Sequence, residues 1–172
     1  MAERTKIVLI EDHDPRWKTD FLRLRSMVEE YIGDFVIDIQ HVGSTAVEGL
    51  PAKPVIDIDA VIEDVSILPD IIRRLEGFGY ICQGDLGVRD RYAFQRIYVE
   101  EVRYNLYVCT RDGVGYTEHI AFRDHLGQNV EARNEYGELK KRLAEAHRAD
   151  VDAYCEGKTP FIDRILRSCG VR

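Results

Sequence analysis

Apolar and polar positions repeat along this chain with two periods, and the change from one to the other marks its elements. Trp17, Phe21, Leu24 and Val28 recur every three to four residues, the spacing that lays one apolar stripe along a helix. Asp14 supplies an N-cap acceptor for it, and Pro15 takes the first helical position, where a missing N–H does no harm. The short apolar run Ile7 to Ile10 predicts a strand ahead of this helix, and Gly33-Asp34 ends it. Phe35 to Val42 then alternates with period two, placing Val36 and Gln40 on one face and Ile37, Ile39 and His41 on the other. Gly43 to Pro51 reads as a loop or short helical turn. Val55 to Ile62 reads as a second strand, apolar enough to be central apart from two aspartates.

Farther along, Ser66 is expected to cap a helix whose Leu68, Ile71, Ile72 and Leu75 face the sheet, with Gly77 and Gly79 ending it. Tyr80 to Cys82 predicts a short strand and Gly84 to Arg91 a glycine-containing loop. Tyr92 to Val99 and Val102 to Cys109 predict a hairpin across Glu100-Glu101. Three helices follow, Thr117 to Leu126, Val130 to His147 and Val151 to Cys169, packing through Leu139, Leu143 and Ala146 and through Phe161, Ile165 and Leu166. Strands first and helices afterwards, around a mixed sheet, predict an α+β fold with a C-terminal helical pack. A chain of 172 residues suits a single domain over 1–172.

Charge narrows the function classes. With 24 basic against 31 acidic residues the formal charge is −7, so long nucleic acid and anionic membrane are not expected partners. Cys82, Cys109, Cys155 and Cys169 are far apart in sequence, which suggests neither a disulfide framework nor a zinc ribbon. Cys82 and Cys109 lie in apolar strand patterns and are expected to be buried thiols. No segment reads as a secretory leader or membrane span, so a cytoplasmic protein is expected. Motifs for a serine nucleophile elbow, a P-loop lysine or an H-E-x-x-H zinc helix do not occur.

The chemistry concentrates between His41 and Ile62, in HVGSTAVEGLPAKPVIDIDAVI. Asp57 and Asp59 alternate on a strand and therefore share a face, where two carboxylates repel one another unless a cation lies between them. Mg²⁺ or Mn²⁺ suits such a pair, since hard cations take oxygen ligands from one or two carboxylates and from substrate phosphates. Gly43 lets backbone N–H groups approach a phosphate, and Ser44 adds a hydroxyl. Twelve residues separate Ser44 from Asp57, and a Gly-Ser turn followed at about that distance by two alternating acids is similar to the pattern of the nucleotidyltransferase superfamily. The bland alternative is a common turn and a strand acid satisfied by local hydrogen bonds. Against it, Val55, Ile56, Ile58, Val61 and Ile62 surround the acids, and an unpaired buried carboxylate is costly.

The whole chain also resembles the GrpB family. The resemblance runs from Asp14-Pro15-Arg16-Trp17 through His41-Val42-Gly43-Ser44-Thr45-Ala46-Val47 and Gly49-Leu50 to Ala52-Lys53-Pro54-Val55-Ile56-Asp57. It continues with Gly87, Arg91, Asn105-Leu106-Tyr107-Val108, His119, Phe122-Arg123-Asp124, Tyr136, Lys140, Tyr154 and Lys158. It implies a nucleotidyltransferase-like fold, in a family whose members also occur fused C-terminally to some dephospho-CoA kinases. Two departures stand out: many members carry an apolar residue in place of Asp59, and many have His-x-His where this chain has Asn105 and Tyr107. A third acid, expected on a neighbouring strand in many active nucleotidyltransferases, has no counterpart in the sequence.

The candidate site is therefore Asp57 and Asp59 as catalytic and metal-holding acids. Around them stand His41, Gly43, Ser44, Lys53, Arg91, Asn105, Tyr107, Lys140 and Lys158 as substrate-binding residues. Arg89 and Arg96 are expected on the surface, Arg123-Asp124 as an ion pair or cap, and His119 in either pocket or packing. The expected ligand is a nucleoside triphosphate or other phosphorylated small molecule, with a small-molecule or protein acceptor. The competing reading is a noncatalytic ligand-binding or partner-stabilising module on the same fold.

Overall fold

The structure is a computed structural model that describes residues 7–97 and 101–172. Five strands, β1 Asp38–Val42, β2 Ile56–Ile62, β3 Tyr80–Cys82, β4 Arg91–Arg96 and β5 Tyr104–Thr110, form one sheet among the described residues. Its order is β1-β2-β5-β4-β3, with β2 and β5 parallel and the other pairs antiparallel. Helix α1 Arg16–Ile32 precedes β1, α2 Leu68–Glu76 lies between β2 and β3, and α3 Val114–Gln128, α4 Val130–Ala146 and α5 Val151–Ser168 follow the last strand. This is the α+β arrangement expected: a mixed sheet, flanking helices and a C-terminal helical pack.

Side-chain alternation splits the sheet into two unlike faces. Ile56, Ile58, Ala60 and Ile62 of β2, with Ile39, Phe94, Leu106 and Val108, are buried against Trp17, Phe21, Leu24, Val28 and Ile32 of α1 and Leu68, Ile71 and Leu75 of α2. The opposite face carries Asp57 and Asp59, and by register Gln40, Asn105, Tyr107, Cys109 and Arg91 beside them. Helix α3 crosses this polar face. Beyond it, α4 and α5 build a second core with Leu50, Leu126, Tyr136, Phe161 and Ile165.

Several local expectations change. Residues 7–10 form no strand; an isolated bridge, Glu11 with Ala52, is the nearest sheet-like pairing, and Val8 instead packs with Ala144 and Tyr154. The first sheet strand starts at Asp38 rather than Phe35. Asp64, not Ser66, caps the turn before α2, accepting the Ser66 N–H at 2.7 Å, because its side chain reaches the free amide two residues on. Helix α3 starts at Val114, three residues earlier than Thr117. The β4–β5 hairpin is present, while Tyr98, Val99 and Glu100 of its connection lie outside the described residues. Cys109 is buried as expected, but Cys82, near the sheet edge, is only half-buried. Among the described residues no helix is long and apolar enough to cross a membrane.

Candidate functional site

Strand β2 sets the geometry. Asp57 stands beside Asn105 and Asp59 beside Tyr107 on the parallel neighbour β5, with Val42 and Gln40 opposite them on β1. Asn105 Nδ2 donates to Asp57 Oδ1 at 2.8 Å. The other oxygen, Oδ2, lies directly against Gly43, whose φ of 72° is one L side chains rarely adopt. A Cβ there would overlap Asp57 Oδ2, so the glycine is required both by conformation and by the carboxylate's approach. Burial is the main cause that pushes the Asp57 carboxyl above its ordinary range, with the Asn105 bond and His119 pulling the other way and the charge of Asp59 adding to the rise.

Asp59 is fully buried. Its Oδ2 accepts from His119 Nδ1 at 2.8 Å, and Arg91 Nη1 lies 3.3 Å from His119 Nε2. A carboxylate can only accept and a guanidinium only donate, so the polarity runs Arg91 to His119 to Asp59. The Arg91 guanidinium also stacks over Tyr107, 4.8 Å from the ring centre, and Tyr107 meets His119 edge-on. Asp59 Oδ1 is buried without a hydrogen-bond partner among the described residues. Arg123, one turn beyond His119, donates to Gln40 Oε1 at 2.8 Å and to the His41 carbonyl at 3.0 Å, tying α3 to the sheet edge.

A basic cluster borders the other side of the Gly43-Ser44 turn. Lys140 is 2% exposed, and its Nζ has no hydrogen-bond partner among the described residues; it sits 4.8 Å from the centre of the Tyr136 ring. Lys158 lies over Tyr154 at 4.6 Å and Lys53 over the same ring at 5.9 Å. Tyr136 clusters with Val47 and Leu50 just after the turn and its phenol is stabilised by Ser44, which joins the cluster to the turn, and Lys158 feels the charge of Asp57. Burial, then the neighbouring Lys158, pulls the Lys140 ammonium down to about 7.

Of the residues singled out in sequence, Gly43, Ser44, Asp57, Asp59, Arg91, Asn105 and Tyr107 thus meet on the polar face or its turn. Lys53, Lys140 and Lys158 gather next to it. His41 does not join them. It points to the apolar face, stacks on Phe21 with centroids 4.6 Å apart, and holds Thr45 Oγ1 at 3.0 Å, while Thr45 donates to the Val55 carbonyl. Burial and Arg123 lower its pKa to about 4, which suits a neutral ring donating from Nε2. Arg96 is also not a plain surface charge, because it reaches the Tyr31 and Tyr80 rings. Arg89 is exposed beside Asp90, and Arg123 pairs with Asp124 as well as with the sheet. His119, expected in either pocket or packing, belongs to the site, and no local spacing ties it to Asp59, sixty positions away.

The two-acid set fits a hard cation in one respect: Asp59 Oδ1 is an orphaned buried oxygen facing the same side as Asp57. Among the described residues no group of three or more His, Cys, Asp or Glu side chains is placed to hold a metal. A cation here would take most of its shell from water and ligand oxygens, as Mg²⁺ usually does.

Residues 7–168 match the family model described as GrpB protein. The chain belongs to the GrpB family. It is similar to the glutamate-rich protein GrpB of Alkalihalophilus pseudofirmus, 35% identical over 92% of this chain and 94% of that one. It is also similar to the crystal structure of the conserved protein GrpB from Enterococcus faecalis, at TM-score 0.83 and 26% identity, covering 94% of this chain and 96% of that chain. A protein of Mycolicibacterium paratuberculosis named dephospho-CoA kinase is 25% identical over 90% of this chain and 44% of its own length. GrpB-type sequence therefore also occurs as part of a longer, differently named protein.

Proposed function

We propose that this GrpB-family protein binds the Mg²⁺ complex of a nucleoside triphosphate and transfers its nucleotidyl group to a small-molecule or protein acceptor. The observation that carries the reading is the seating of Asp57 Oδ2 against Gly43, which brings the Gly-Ser turn and the acid pair into one site. Ser44 and the backbone N–H groups of the turn supply donors for a phosphate. Asn105 holds Asp57 Oδ1 and so fixes the orientation of Oδ2. His119 and Arg91 hold Asp59 from beneath α3. Asp57 and Asp59 would hold the metal, which supplies charge neutralisation of the phosphates. In the overall reaction an acceptor oxygen bonds to the α-phosphorus, the bond to the β-phosphate bridge breaks, and pyrophosphate leaves.

A second reading, a ligand-binding or partner-stabilising module without transfer chemistry, is favoured by Asn105. It stands in register beside Asp57 on the neighbouring strand, where a third carboxylate would be expected, and hydrogen-bonds the first. Calorimetric titration of ATP, CTP, GTP and UTP into the metal-free protein, with and without Mg²⁺, tests the first reading. Binding of at least one that needs Mg²⁺ and disappears in a folded Asp57→Asn variant is expected. Binding indifferent to both, or absent for all four, would overturn it. Release of pyrophosphate in the presence of candidate acceptors then separates transfer from binding alone.

A further inference from the structure

Lys53, Lys140 and Lys158 pose a problem of charge. None forms an ion pair with a described residue, yet Lys140 is nearly inaccessible and carries an unpartnered Nζ. Burying an ammonium without a counter-charge is strongly unfavourable, and a second ammonium close by makes it worse. Lys140 faces Tyr136 on its own helix and Lys158 on α5, and Lys158 in turn meets Tyr154 and Cys155 on α5 and Lys53 on the loop before β2. The carboxylate whose charge reaches the cluster is Asp57, through Lys158. Two phenols stay protonated there because burial pushes Tyr136 and Tyr154 upward, so neither supplies an anion. A multiply charged anion placed among the three lysines would supply the opposite charge that stabilises them.

We propose that Lys53, Lys140 and Lys158 form an anchoring subsite for the terminal phosphates of a polyphosphate, and that its occupation draws one proton from solvent onto Lys140. This deepens the nucleotide reading, on which the choice of ligand class rests, by assigning the part of the ligand that α4 and α5 hold. Tyr136 clusters with Val47 and Leu50 just after the turn, which places the lysines beside it, so one extended phosphate chain can touch both. In the ligand-free protein Lys140 releases its proton near neutrality, since burial and Lys158 lower it to about 7. An added phosphate reverses both causes: it replaces lost hydration with charged acceptors and offsets the neighbouring ammonium. The amine takes a proton from the buffer and becomes an ammonium, with no covalent bond changed.

The probe is inorganic tripolyphosphate, titrated calorimetrically without divalent metal at pH 8.5 in two buffers of different ionisation enthalpy. The probe's last phosphate ionisation also falls near this pH, so the lysine's share is read as the difference in proton uptake between the parent and Lys140→Met. Binding with a lysine share close to one proton per site is expected, and affinity should fall about tenfold per pH unit above 7 until the bound-state value is reached. Lys140→Met should remove that proton and weaken binding at pH 7 at least tenfold. Lys158→Met should weaken binding yet keep the uptake, and Lys140→Arg should bind without that proton. No binding of tripolyphosphate, binding without proton uptake, or uptake unchanged in Lys140→Met would each overturn the proposal. Tripolyphosphate binding with uptake, alongside nucleotides that show no Mg²⁺ dependence, would sink the transfer reading and leave this one standing.

Discussion

The two faces of β2 differ by one residue of register and by almost everything else. Ile56, Ile58, Ala60 and Ile62 pack into a dry interface with α1 and α2. One position over, Asp57 and Asp59 face α3 through Asn105, His119 and Arg91, with one carboxylate oxygen left without a partner. The apolar face can afford the polar one: burying a Leu- or Ile-sized side chain stabilises by roughly 1.5–3 kcal/mol, so a few such residues offset an imperfectly satisfied pair of acids. The lesson is a division of labour within one strand, in which alternate residues hold the fold and hold the chemistry.

The largest effect should come from breaking the apolar side. Ile58→Ala, at a fully buried position, is expected to cost about 2–5 kcal/mol in urea unfolding while leaving Mg²⁺-dependent nucleotide binding at its original affinity. Loss of binding in the folded variant would mean that the faces are not separable.

Next comes the pH dependence of the two faces, which should have opposite signs. His41 on the apolar side has a folded value near 4, below its ordinary one, so the unfolded chain binds the proton first. Stability should therefore fall as pH drops from about 6.5 to 4, by up to about 3 kcal/mol, and His41→Gln should flatten that limb. Asp57 is shifted upward by burial, so the folded chain keeps its proton longer than the unfolded one. Its contribution falls as pH rises from the ordinary carboxylate range through its raised folded value. Asp57→Asn, measured with chelator present, should remove that loss and melt no lower than the parent at pH 7. A lower melting temperature would show the carboxylate to be structural.

Gly43→Ala tests the contact between turn and acid. It combines an unfavourable φ with overlap on Asp57 and should cost about 1–3 kcal/mol by chemical denaturation, together with measurable loss of nucleotide affinity. The smallest effect is expected outside both faces. Arg74 pairs with Asp34 at 3.2 Å on the surface, and Arg74→Gln should change stability by less than about 1 kcal/mol and binding not at all.

Much of this architecture was legible in the chain because it is written in short periods. The α1 stripe of Trp17, Phe21, Leu24 and Val28 and the alternating acids of β2 each lie within a few residues of one another, so local spacing alone declares which side they share. Short-range reading failed where a partner was distant or absent. Ile7 to Ile10 is apolar enough for a strand, but its packing against Ala144 and Tyr154 took the place of a sheet neighbour. His41 sits two residues from Gly43, yet strand parity turns it to the opposite face from Asp57, toward Phe21.

By itself, then, the sequence determined the helices, most strands and the shared face of Asp57 and Asp59, since each follows from backbone periodicity and conformational preference over a few residues. The tertiary structure alone decided that His119 and Arg91 meet Asp59, that Asn105 meets Asp57, and that lysines from three separate segments surround two tyrosines. Those meetings join residues up to 101 positions apart, Lys53 with Tyr154. They depend on strand order, on how α3 crosses the polar face and on how α4 and α5 pack beyond it, which no local pattern encodes.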